Sequence, residues 1–100
     1  MDYTAEWSDR SIRDFRSILL YVDERNEFAT KRVRKHIIDR IRLLESSPRL
    51  GSLFQIANHG EVRDTRAGSF RIFYIVLDET KSIRILTIRH VKWEDPDFSE

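Results

Sequence analysis

Arg66, Arg71, Arg89, His90 and Lys92 are the side chains of this sequence best suited to chemistry on an anion, and Phe70 lies among them. Guanidinium and ammonium groups bind phosphate oxygens, and an aromatic ring beside them stacks a base. His90 is the member of this group whose charge changes near neutrality, which makes it the candidate acid or base. Hairpin arithmetic brings these residues together. A turn centred near Thr80 sets Phe70 opposite His90 and Arg71 opposite Arg89. A turn centred between Ala67 and Gly68 sets Arg66 opposite Ser69 and Thr65 opposite Phe70. A slip of one residue swaps which of Arg89 and His90 faces Arg71. In either register the cations gather at one end of a sheet. Like charges this close repel, so the cluster calls for an anion or an acidic partner.

Each residue also has a plainer reading. Arg71 pairs with Asp64, which the same register sets about opposite it. His90 closes an apolar strand as a hydrogen-bonded structural histidine. Tyr74, mid-strand between Ile72 and Val76, is core. His59, beside Gly60, reads as a solvated loop residue, and His36 as an exposed or partly packed helix residue. The histidines show no H-x-x-x-H spacing and the chain has no cysteine, so neither a metal site nor a cofactor is expected. No Gly-rich phosphate loop and no G-x-S-x-G elbow occurs.

The elements that must position these residues follow from periodicity. Tyr3, Ala5 and Trp7 alternate with Thr4 and Glu6, the period of a half-buried strand over 2–7. Ser8 offers an N-cap, and Asp9 suits the first turn of the helix behind it. Ile12, Phe15, Ile18, Leu19 and Val22 lie on one face of that helix, which should stop near Arg25-Asn26. A second helix is predicted over about 28–45, with Val33, Ile37, Ile41 and Leu44 inward and Lys31, Arg32, Lys35 and Arg42 outward. Ser46-Ser47-Pro48 ends it, because the residue before a proline disfavours helix. Residues 49–60 read as a loop. Strands are then predicted over 62–66, 70–77 and 82–90, with turns at Ala67-Gly68-Ser69 and Asp78–Lys81. The expected fold is α+β in one domain of 100 residues. An N-terminal strand and an antiparallel helical hairpin precede a three-stranded antiparallel meander, all forming one sheet.

Composition narrows the class. Hydrophobic residues at 40% and charged residues at 35% suit a folded globular chain and exclude a collagen-like or wholly disordered one. The longest apolar run, Ile72 to Leu77, is far below the ~20 residues that span a bilayer, so no membrane partner is expected. With no signal-peptide pattern at the start, a cytoplasmic location is the default. The net charge is only +1, but basic residues dominate the body while residues 93–100 form an acidic tail. Such a terminus is flexible unless something ties it down.

At these residues the sequence resembles the RelE/ParE toxin superfamily. Arg66-Ala67-Gly68-Ser69-Phe70-Arg71-Ile72-Phe73-Tyr74 is similar to that family's R-x-G-x-Y-R-[IV]-x-Y segment. The Ile-rich strand that follows ends in His90-Val91-Lys92, like the family's H-x-[KR] ending. Leu44 to Gly51 resembles its close of the second helix, and Tyr3 to Ser8 its opening. The resemblance runs through nearly the whole chain. It implies the toxin half of a type II toxin–antitoxin module, a growth inhibitor held inactive by a cognate antitoxin. The leading implication is a RelE-like mRNA endoribonuclease acting at the ribosome. The alternative is a ParE-like inhibitor of DNA gyrase without nuclease activity, and a third is a non-toxic interaction module of the same fold. For a ribonuclease, Arg71 and His90 are the implied catalytic pair: Arg71 on the scissile phosphate and His90 as base or acid. Arg66, Arg89, Lys92 and Phe70 are the implied substrate-binding residues. Where RelE-like chains finish with a tyrosine, this chain has Phe98, a stacking ring without a hydroxyl.

Overall fold

Ser8 opens the first helix as its position suggests. Its Oγ accepts the Ser11 N–H at 3.1 Å and donates to the Leu86 carbonyl at 3.0 Å, and Asp9 stands in the first turn. The computed structural model describes residues 3–98, so Asp2 of the expected first strand lies outside the described residues. The elements in chain order are β1 (Thr4–Trp7), α1 (Asp9–Arg25), α2 (Glu27–Ser46), β2 (Ser52–Ala57), β3 (Gly60–Ala67), β4 (Phe70–Leu77) and β5 (Ser82–His90).

The helices meet at one residue that caps both. The Asn26 N–H donates to the Val22 carbonyl at 2.9 Å, closing α1, and Asn26 Oδ1 accepts the Phe28 N–H at 3.0 Å, opening α2. Ile37, Ile41 and Leu44 of α2 are buried as the stripe requires, and Ile18 is buried from α1. Ile12 is an exception at 37% exposed. Ser11 takes the inward place instead, its Oγ bonded to the Ser8 carbonyl at 2.8 Å. His36 is exposed.

The sheet has five strands in the order β1-β5-β4-β3-β2. This corrects the expected three-stranded meander: β2 to β5 form a four-stranded one, and β1 joins the far edge parallel to β5. Residues 52–57 escaped notice as a strand because a bulge at Phe54 breaks the period of two and leaves Leu53 and Ile56 exposed. The sheet has a core on each face. Phe70, Ile72, Tyr74, Ile83, Ile85 and Ile88 pack under the helices. Val62, Phe73 and Ile75 form a smaller cluster on the outer face, covered by Phe54, Leu86 and Phe98.

Two hairpins set the register of the candidate site. Between β4 and β5, Phe70 stands opposite His90 and Arg71 opposite Arg89, as the arithmetic has it. The β3–β4 turn is shifted from expectation. Its last pair is Ala67 and Phe70, leaving a two-residue turn of Gly68 and Ser69 with Gly68 at φ +63, where a side chain would be strained. Arg66 therefore faces Arg71 rather than Ser69, and Thr65 faces Ile72 rather than Phe70.

Candidate functional site

Arg66 on β3, Arg71 on β4 and Arg89 on β5 are directly opposite one another across the strands, so they form one row on the outer face. Directly opposed side chains have Cβ atoms about 4.5–5.5 Å apart, where like charges destabilise a sheet. The middle arginine is neutralised. Arg71 Nε donates to Asp64 Oδ2 at 3.0 Å, and Nη1 donates to Asp95 Oδ1 at 2.5 Å. Its guanidinium also lies 4.7 Å from the centre of the Phe73 ring and 5.6 Å from that of Phe54. Burial opposes the Arg71 charge, but the hydrogen bonds it donates to Asp95 and Asp64 outweigh that and hold the pKa above its ordinary value. The Asp64 pair is the plainer reading of Arg71, reached diagonally, since Asp64 itself faces Phe73.

The flanking arginines are different. Among the described residues, neither Arg66 nor Arg89 has an acidic partner within ion-pair distance. Nothing among the described residues accepts a hydrogen bond from the buried Arg89 Nε. An unmade bond at a buried donor costs about 1–3 kcal/mol, more at a charged group, so the row is incomplete as it stands.

His90 does not join the row. Side chains alternate across a strand, so His90 and its cross-strand partner Phe70 project to the helix side while Arg89 and Arg71 project outward. The His90 ring meets Phe70 edge-on at 5.3 Å and Trp93 at 5.8 Å. Its Nδ1 accepts the Lys92 N–H at 3.1 Å, so in the neutral ring the proton sits on Nε2. Phe70, His90, Lys92 and Trp93 line a cavity of about 480 Å³ with Ile18 and Val22 of α1. The expected cluster is thus one sheet end with two faces: arginines outside, and Phe70, His90 and Lys92 at the helix-side cavity. His90 and Arg71 therefore project to opposite faces of the sheet.

The outer face holds residues that the sequence reading left out. Phe54 and Gln55 come from β2, and Asp95 and Pro96 come from the tail, where they join Phe98. Phe98 packs on Phe54 at 6.2 Å and on Phe73 at 5.9 Å between ring centres, and Pro96 is buried. The acidic tail is therefore tied down through residue 98.

The family model for the ParE toxin of type II toxin–antitoxin systems (parDE) matches residues 5–92, which takes in the arginine row and both helices. The chain belongs to this toxin family. The toxin's fold is also that of solved RelE proteins. The RelBE2 toxin–antitoxin complex from Mycobacterium tuberculosis matches at 20% identity and TM-score 0.62, covering 90% of this chain and 99% of that one. The archaeal RelE–RelB complex from Pyrococcus horikoshii matches at 18% and 0.66, covering 92% and 98%. A mutant E. coli RelE in the free state matches at 17% and 0.64, covering 92% and 86%. At these identities the likeness is one of fold. No curated protein matches the toxin. Among the described residues, no helix is long and apolar enough to cross a membrane.

Proposed function

We propose that this toxin is a RelE-like, ribosome-dependent mRNA endoribonuclease whose outer sheet face holds the RNA, and that a cognate antitoxin keeps it inactive. The observation that carries this reading is the row Arg66–Arg71–Arg89, flanked by the rings of Phe54 and Phe73. Guanidinium forks match phosphate geometry with two parallel hydrogen bonds. Attack of a ribose 2′-oxygen on the adjacent phosphate forms a 2′,3′-cyclic phosphate and breaks the bond to the next nucleotide's 5′-oxygen, the 2′-hydroxyl proton passing to water and the leaving oxygen taking a proton from water. Arg71 and Arg89 would stabilise the negative charge that gathers on the phosphoryl oxygens. Removing one such stabiliser lowers the rate by about 10²–10³. Arg66, the exposed end of the row, positions the backbone. Solved relatives in complex with antitoxins support the antitoxin partner.

The placement of His90 away from Arg71 favours a second reading, ParE-like inhibition of DNA gyrase, which needs no proton-transfer group beside the arginines. Pulse labelling after induced expression separates the two. The first reading expects protein synthesis to stop before DNA synthesis, and Arg71→Ala to be harmless. If DNA synthesis stops first while translation persists, the gyrase reading replaces it.

A further inference from the structure

The middle of the arginine row already carries an anion, and it comes from the chain itself. Asp95 Oδ1 sits 2.5 Å from Arg71 Nη1, while Asp64 holds Nε from the neighbouring strand. The two acids differ in kind. Asp64 is on β3 with its side chain 17% exposed, a fixed part of the sheet. Asp95 is 60% exposed and lies in a segment without helix or strand. We propose that Asp95 occupies the place of a phosphodiester on the arginine row, and that residues 94–98 form a displaceable cover over a phosphate-binding site. This rests on the reading of the outer face as an RNA site.

The manner of attachment fits a cover that comes off. Among the described residues, 94–96 and Phe98 make no backbone-to-backbone hydrogen bond. The segment is held by side chains: Asp95 on Arg71, the Phe98 ring on Phe54 and Phe73, and Gln55 at both ends of its amide. Gln55 Oε1 accepts the Phe98 N–H at 3.2 Å, and Gln55 Nε2 donates to Asp97 Oδ1 at 3.3 Å. An ion pair with one partner largely in water is weak, so a phosphate can replace it. The exchange leaves the rest of the site intact. Asp64 keeps Nε, the terminal nitrogens pass from carboxylate to phosphate oxygens, and removal of Phe98 bares the Phe54 ring for a base. Asp95, seated on the middle arginine of the row, makes the cover complementary in charge to the face beneath it.

The test is binding of a short fluorescein-labelled single-stranded RNA to the full chain, read by anisotropy. A cover seated about nine-tenths of the time weakens apparent affinity about tenfold. Asp95→Asn and Phe98→Ala should therefore each bind up to about tenfold more tightly, the second with no change of charge. Glu94→Gln removes the same charge as Asp95→Asn from an exposed position that, among the described residues, makes no ion pair with the arginine row, and should stay within about twofold of wild type. Arg71→Gln combined with Asp95→Asn should lose the gain. If Asp95→Asn and Phe98→Ala bind as wild type does, the cover is refuted while the RNA face stands. A gain that survives the loss of Arg71 also overturns it. If neither wild type nor any variant binds RNA, the reading of the face fails and the cover falls with it.

Discussion

The backbone N–H of Gly51 donates to the phenolic oxygen of Tyr74 at 2.8 Å, joining the connection after α2 to the buried helix-side core of β4. Both groups are removed from water, so Tyr74→Phe leaves a buried donor unmade. That costs about 1–3 kcal/mol. For a domain of about 100 residues each kcal/mol is worth roughly 4–8 °C in Tm, which a thermal melt resolves. Gly51→Ala should cost more, because a Cβ there would lie 2.6 Å from the Asp64 backbone carbonyl oxygen, which cannot swing away. Equal melting temperatures for wild type and Tyr74→Phe would refute this account of the bond.

Tyr74 also sets an alkaline limit. Burial holds its phenol above the ordinary 10.0, although the Gly51 hydrogen bond pulls the other way. The unfolded chain releases this proton near pH 10, while the folded chain keeps it. The stability it supports is complete below that pH and falls as pH rises toward the folded value. Urea unfolding at a series of pH values from about 9 to 11 should show a shallower decline for Tyr74→Phe than for wild type. Parallel declines would place the alkaline sensitivity elsewhere.

The acid limb has a different source. Hydrogen bonds from Arg49 and Tyr3 hold the Asp78 carboxyl below its ordinary 3.8. A depressed carboxylate stabilises the fold above its unfolded pKa and loses that contribution as pH falls through the folded value. Asp78 ties Tyr3 and the α2–β2 connection to the β4–β5 turn, all at the surface, so the effect is small. Asp78→Asn should flatten the stability profile below about pH 4 and leave its shape between about pH 5 and 8 unchanged. A wild-type acid limb in the variant would refute the assignment.

Much of this architecture is legible in the residues because local rules and packing agree. Ser8 is followed by an amphipathic run, Pro48 stops α2, and the short, β-branched and aromatic stretch from Ile72 suits a strand covered on both faces. The strand β2 is not legible by period, since its bulge and its exposed Leu53 and Ile56 break the alternation. Asn58-His59-Gly60 after an apolar run was the available signal, a two-residue turn with Gly60 at positive φ. For the site, pairing Phe70 with His90 and Arg71 with Arg89 was correct, but register alone does not assign faces. Alternation then sends the two pairs to opposite sides. The tail's grip on Arg71 was beyond reach, because nothing local in Asp95-Pro96-Asp97-Phe98 specifies a distant ring pair.

Ser8 offers a separate check on the helix–sheet junction. Its Oγ caps α1 through the Ser11 N–H and also donates to the Leu86 carbonyl at the β5 bulge. Ser8→Ala removes both, and loss of such a cap costs about 0.5–2 kcal/mol. Ser8→Thr keeps the hydroxyl and should recover most of that in a chemical melt. If the two variants are equally destabilised, the hydroxyl bonds are not what holds the junction.

The division of the sheet end between two faces makes the sharpest functional prediction. His90 packs on Phe70 and Trp93 and accepts the Lys92 N–H, contacts that lie at the turn after β5 beside the helices. Arg89, one residue earlier, belongs to the outer row. Under the RNA reading, Arg89→Ala should lower cleavage by about 10²–10³ with the fold intact, as loss of a charge stabiliser does. His90→Gln, which keeps a side-chain acceptor, should cut at nearly the wild-type rate while its Tm drops by a few degrees, about what one strained or lost buried contact brings. The measurement is cleavage of ribosome-bound message by purified variants, paired with thermal melts. Should His90→Gln abolish cleavage without a change in Tm, proton transfer would run from the helix side. The reacting phosphate would then lie over Phe70 and His90, and the arginine face would lose its claim to the chemistry.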